Sequence, residues 1–144
     1  MDLVQSLKKN LGNALVFSFQ AQSFHWNVSG MLFHELHKFF GEIYETAYNM
    51  IDPLAEYIRI ENILAPCCLA DAYKDKSMNE ITHVPGTAQE MIMYLYNMSI
   101  EMKTSLEELM ALAEKEKRYG LADWVSGQID ILAKQQWMLR SYTV

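Results

Sequence analysis

Asp52 and Glu56 stand four residues apart in a segment of strong helical periodicity, so their carboxylates share one face about one turn apart and can bracket a metal ion. The apolar stripe of that segment is Phe33, Leu36, Phe40, Ile43, Ala47, Met50, Leu54 and Tyr57, spaced by threes and fours over about seven turns. At about 100° per residue, with Leu36 and Leu54 centring the stripe, Asp52 falls near 160° and Glu56 near 200°, opposite the core. Both carboxylates point out of their own subunit, as those of a plain solvated acidic face also would.

The histidines narrow the chemistry. Glu80-Ile-Thr-His83 matches the Glu-x-x-His of di-iron bundles, but Val-Pro-Gly follows and no second copy exists, which argues against a di-iron site within one chain. His34-Glu35-Leu36-His37 is one residue short of the His-Glu-x-x-His spacing that sets two imidazoles on one zinc ion. Nucleophilic and phosphate-binding classes drop out as well, because the chain has no Gly-x-Ser-x-Gly, no glycine-rich phosphate loop and no cysteine near a histidine in sequence. His37 precedes Asp52 by 15 residues on one helix, a rise of about 22 Å. One metal cannot touch both. If they serve one site, the carboxylates come from a second chain, and a two-fold pairing of antiparallel helices makes two identical sites per dimer.

Long helices must position these groups. The chain of 144 residues has only six glycines and three prolines, with 51% hydrophobic residues, which leaves room for few turns and predicts a single all-α domain over residues 1–144. The first helix runs from about Leu3 to Phe24, with Val4, Leu7, Leu11 and Ala14 inward. Ser29-Gly30 separates it from the second, the periodic segment described above. Pro85-Gly86-Thr87 opens the third with Thr87 as N-cap, and Gly120 separates the third from the fourth. The third buries Met91, Leu95, Met98, Met102, Leu106, Leu109 and Ala113. The fourth carries two rows, Trp124, Ile131, Met138 and Val125, Leu132, Leu139. Between the second and third lies a long crossover, Asn62 to Gly86, with a short helix near Leu69 to Lys74. Two helical hairpins joined by one long crossover make the ferritin-like four-helix bundle.

From His25 the segment HWNVSGMLFHELHKFFGEIYETAYNMIDPLAEYIR resembles the ferroxidase signature of Dps proteins, small cage-forming relatives of ferritin. It combines His-Trp-Asn-Val-x-Gly, a second histidine twelve residues on at His37, and Asp-x-x-x-Glu at Asp52 and Glu56. ADWVSGQIDILAKQQWMLRS resembles the family's last helix. The resemblance implies a homo-oligomer, a hollow dodecamer, whose metal sites at two-fold interfaces take His25 and His37 from one subunit and Asp52 and Glu56 from its partner. It implies that Fe(II) is oxidised there, preferably by hydrogen peroxide, and stored as ferric mineral. Two imidazoles with two carboxylates suit iron, though such a set does not exclude zinc or manganese.

Several features qualify the resemblance. Many relatives carry an aspartate where this chain has Gly41, the position tied to a second, weaker metal; Glu42 nearby points about 100° away. Pro53, between the carboxylates, should kink the second helix at about 3 kcal/mol relative to Ala. These two departures motivate an alternative, a structural or DNA-protecting cage with a degenerate site; another is a divalent-metal-binding assembly without oxidase turnover. DNA binding is disfavoured by the net charge of −6 and the lack of a lysine-rich leading tail, with Lys8 and Lys9 assigned to a solvated face. No membrane partner is expected, since no run of 18 apolar residues occurs. The adjacent Cys67 and Cys68 cannot readily form a disulfide with each other, and the leading segment does not read as a secretory signal, so the expected compartment is the cytoplasm. Asp123 matches the family's acidic pore residue at the start of the last helix; it reads equally as a first-turn aspartate complementing the helix dipole.

Overall fold

The computed structural model describes residues 1–143. Among them are six helices and no strand: α1 (Leu3–Asn27), α2 (Phe33–Tyr48), α3 (Ile51–Ile60), α4 (Leu69–Tyr73), α5 (Ala88–Lys115) and α6 (Tyr119–Ser141). α1, the α2–α3 pair, α5 and α6 are the four members of the bundle, and α4 is the short helix of the crossover. α1 packs on α2, α3, α4 and α5, while α6 packs on α5. A capping box starts α1: Asp2 accepts from the Gln5 N–H at 2.8 Å and its own N–H donates to Gln5 Oε1 at 2.9 Å. Thr87 caps α5 as its position predicts, accepting from the Glu90 N–H at 3.1 Å.

The predicted stripes supply much of the core, with Leu7, Leu36, Phe40, Ile43, Leu54, Leu95, Met102 and Leu132 fully buried, and α1 adds Phe17 and Phe24, which its predicted stripe did not include. Phe33 departs from its stripe and is exposed, because as the first residue of α2 it lies beyond the rim of the bundle. In α6 the Val125, Leu132, Leu139 row is fully buried, whereas Ile131 is exposed and Trp124 is half-buried against Tyr57. Val4 is half-buried rather than core. Lys9 is no free solvated charge but bonds Glu108 on α5 at 2.9 Å.

The second periodic segment is two helices. Between α2 and α3 the chain tightens, with the Met50 N–H reaching the Ala47 carbonyl at 3.1 Å. Pro53 has no N–H for the Asn49 carbonyl, which is why the helix breaks there. The cost expected of an interior proline does not apply: Pro53 is the third residue of α3, in a first turn whose N–H groups lack intrahelical acceptors anyway.

Left-handed residues close two helices where no glycine stands. Asn62 (φ 62°) ends α3 and Lys117 (φ 58°) ends α5, each followed by an N–H reaching five residues back: Ile63 to Ile58 at 3.3 Å, Arg118 to Ala113 at 2.8 Å. The joint before α6 is therefore Lys117, and Gly120, expected to separate the helices, lies inside α6. Arg118 also grips Glu61 at the end of α3 through two N–H···O bonds, 2.6 and 3.1 Å. That bond holds the Glu61 carboxyl below its ordinary range. A lowered folded value means stability present above the unfolded pKa and lost as pH falls through the folded one. Thermal melts of Glu61→Gln should lie below wild type at neutral pH and converge with it in acid; a gap unchanged by pH contradicts this ion pair's role.

The crossover is fastened by α1. The Asn13 side-chain oxygen accepts from the Ser77 and Met78 N–H groups at 2.9 and 3.0 Å, and Gln20 Oε1 accepts from the Ile81 N–H. Gly12 makes the approach possible, since a Cβ there would lie 3.1 Å from the Lys76 backbone nitrogen. Cys67 and Cys68 are exposed and free. No described helix is long and apolar enough to cross a membrane.

Candidate metal centre

His25 sits in the last turn of α1 and His37 in the second turn of α2, joined by the tight turn after Asn27. The hairpin brings the two half-buried imidazoles face to face, centroids 3.8 Å apart and 15° from parallel. Each ring is tied to the other's main chain: His25 Nδ1 lies 2.5 Å from the His37 carbonyl, and His37 Nδ1 lies 2.6 Å from the His25 carbonyl. A carbonyl only accepts, so both Nδ1 atoms carry the proton and donate. In the neutral ring that leaves both Nε2 lone pairs uncommitted. This is the supporting arrangement found behind metal-ligating histidines, with the distal nitrogen fixed by a hydrogen bond and the other presented. The His25 carbonyl is one of the terminal acceptors that α1 cannot satisfy internally, so the His37 bond also caps the helix.

Phe33 stacks on His37 at 5.2 Å, and Tyr44 approaches His25 at 5.8 Å. Neither stood out in the sequence as part of a site. Their signal is spacing: Phe33, His37, Gly41 and Tyr44 follow one another at four, four and three residues on one face of α2.

Asp52 and Glu56 are exposed on α3 and point away from the core, as the helical phase predicts. The Asp52 carboxylate, which accepts a hydrogen bond from the protonated Glu56 carboxyl and repels the ionised one, raises the Glu56 carboxyl above its ordinary range. Two carboxylates one turn apart on an exposed helix face form an anionic pair that a cation can bridge. The imidazole pair and the carboxylate pair do not converge within one chain: among the described residues no group of three or more His, Cys, Asp or Glu side chains is placed to hold a metal ion. His34, Glu42 and His83 are exposed and join neither pair.

Asp123 is exposed on α6, in a groove shared with Lys103, Glu107 and Asp130. It is the fifth helical residue, and the first turn of α6 contains no acid. The dipole-complementing role therefore falls away, because that effect fades beyond the first turn.

The comparisons with known proteins agree with this architecture. The family model of the ferritin-like domain matches residues 4–144. The "DNA protection during starvation protein" of Helicobacter pylori is 29% identical over 142 residues, covering 99% of both chains. A crystal structure of a Dps protein from Bacillus brevis superposes with a TM-score of 0.91 at 27% identity, over 99% of this chain and 95% of that one. A Dps protein from Vibrio cholerae, described as a member of a broad superfamily of ferritin-like diiron-carboxylate proteins, superposes with a TM-score of 0.91 at 26% identity, over 99% of this chain and 89% of that one. With the family match running from the first turn of α1 to the last residue, the chain belongs to the ferritin-like family and, within it, to the Dps proteins.

Proposed function

We propose that this protein is a cytoplasmic ferroxidase and iron store, a homo-oligomeric Dps cage in which His25 and His37 of one chain and the partner's Asp52 and Glu56 bind Fe(II). The observation that carries the reading is the locked imidazole pair, which offers two Nε2 donors and no same-chain carboxylate. A nitrogen-only pair lacks the anionic oxygen donors that stabilise the ferric product, and the outward carboxylate pair on α3 can supply them from a neighbour. The diiron-carboxylate description of the Vibrio cholerae relative supports iron as the metal.

The chemistry is a two-electron reduction of peroxide. Two Fe(II) ions give one electron each, the O–O bond of hydrogen peroxide breaks, and with two protons two waters form. Consuming iron and peroxide together removes the reactants that generate hydroxyl radicals. Anaerobic protein loaded with Fe(II) and mixed with peroxide should show rapid ferric absorbance that His37→Ala lacks. Equal rates in the two proteins contradict the reading.

Protonation of Glu56, favoured by the neighbouring Asp52 carboxylate, competes with metal. Affinity falls as pH drops through the raised Glu56 value, because the proton must leave before the carboxylate coordinates. Co(II) titrations from acidic to neutral pH should be steeper for wild type than for Glu56→Gln, which keeps the imidazoles but has no carboxyl proton to lose. Matching slopes would remove Glu56 from the site.

Asp123 is placed by the same reading at a three-fold pore, where three copies concentrate Fe(II) electrostatically. Asp123→Asn should slow iron uptake most at low ionic strength and leave the unfolding free energy within about 0.5 kcal/mol of wild type. Uptake unaltered at low and high salt removes it from the iron path.

A further inference from the structure

Gly41 is buried in the interior of α2, at a site where glycine disfavours the helix by about 0.5–1 kcal/mol relative to alanine. Its backbone is not in the left-handed region, so no conformational need calls for glycine. What it provides is space. A Cβ built on Gly41 would lie 3.1 Å from Nδ1 and 3.2 Å from Cε1 of His25, closer than a side chain normally packs. By contrast, a Cβ on Gly127 in α6 would meet nothing within 4 Å.

The His25 ring has nowhere to yield. Its Nδ1 is held 2.5 Å from the His37 carbonyl, and its face is stacked 3.8 Å from the His37 ring. Gly41 follows His37 by four residues, one helical turn, so the ring that reaches the His37 carbonyl must pass over position 41. A methyl group there pushes on Cε1, the atom bonded to Nε2, and so moves the donor atom itself while straining the hydrogen bond that fixes the tautomer.

We propose that Gly41 is a positioning residue for the His25 ligand: the missing side chain lets the imidazole lie against α2, tethered to the His37 carbonyl, with Nε2 aimed alongside that of His37. The inference rests on the proposed metal role of the imidazole pair and names the feature of this chain that sets its geometry. In this chain glycine at position 41 is more than the loss of a carboxylate: it leaves the room that this placement of the His25 ring occupies.

A double-mutant cycle tests it, with Co(II) as an anaerobic probe read by its d–d absorption and thermal melting read on the same oligomers. Gly41→Ala should weaken Co(II) binding by about tenfold or more, the scale of losing a ligand's support, and change the band shape. It should not raise Tm, although alanine at an ordinary helical site does. In a His25→Ala background, where the ring is gone, the same change should raise Tm and leave Co(II) binding as it was. Gly127→Ala should leave Co(II) binding at the wild-type value in either background. Unchanged Co(II) affinity and spectrum in Gly41→Ala, or an equal Tm effect in both backgrounds, overturns the proposal. Should Gly41→Ala fail to fold, folding of the His25→Ala/Gly41→Ala chain supports it and misfolding of both overturns it. Wild-type protein that binds no Co(II) rejects the metal reading instead, and the Tm arm of the cycle still decides the contact.

Discussion

His37→Ala and Glu56→Ala subunits, each deficient alone, should recover ferroxidase activity when mixed and allowed to exchange. Loss of a ligand costs each parent more than the about 10–100-fold typical of losing a ligand's supporting partner. In a trans arrangement one of the two sites in every mixed dimer pairs an intact imidazole pair with intact carboxylates. Random exchange at equal concentrations makes half the dimers mixed, so about a quarter of the wild-type sites return. A site completed within one chain returns none. The prediction follows from two observations: each chain holds an imidazole pair and an outward carboxylate pair, and among the described residues no trio of ligating side chains forms inside one chain. Mass-labelled subunits establish exchange, and activity at parental level despite it would sink the shared site.

The outward direction of Asp52 and Glu56 was legible because helical phase is a strong constraint. Leu36 and Leu54 fix the buried direction over 18 residues, and the opposite direction then holds Asp52 and Glu56 whatever the fine geometry. The break at Asn49 and Met50 did not spoil the reading, since Ala47 before it and Leu54 after it are both fully buried. Pro53 was legible as a break but not as a harmless one; its cost depends on whether the chain starts a new first turn there, which only the packing of α3 decides. The imidazole pair was less legible. Only the family resemblance singles out His25 and pairs it with His37, and the mutual Nδ1–carbonyl bonds depend on how closely α1 and α2 approach, a property of the hairpin. Phe33 was misread as core because apolar spacing does not reveal where a stripe passes beyond the end of its partner helix. Lys117 shows a similar gap: glycine marks a left-handed cap in sequence, whereas a lysine held there by the Arg118 to Ala113 bond leaves no mark.

Asn13→Ala should cost about 2–4 kcal/mol, more than an ordinary polar substitution, because it strips hydrogen-bond partners from the crossover at a buried site. Asn13 is 1% exposed, and its oxygen accepts from two successive N–H groups, those of Ser77 and Met78, while its nitrogen donates to Ser77 Oγ at 3.0 Å. Met78 is 1% exposed, so its N–H cannot turn to water without the loop leaving α1. Ser77→Ala removes only a hydroxyl from an exposed residue, keeps both N–H bonds, and should cost under about 1 kcal/mol. Urea unfolding at fixed subunit concentration ranks the two variants, and a loss below about 1 kcal/mol for Asn13→Ala would show that α1 does not hold the crossover. The consequence reaches the proposed metal site. Pro66, Cys67, Cys68 and Leu69 of the crossover share a groove with Leu11 of α1 and with Ile51 and Ala55 of α3, the residues beside Asp52 and Glu56. A crossover released from Asn13 unsettles the α3 face from which, in the proposed shared site, Asp52 and Glu56 reach a neighbour. Iron oxidation in Asn13→Ala should therefore decline at subunit concentrations where the wild type stays assembled, and recover as the concentration is raised.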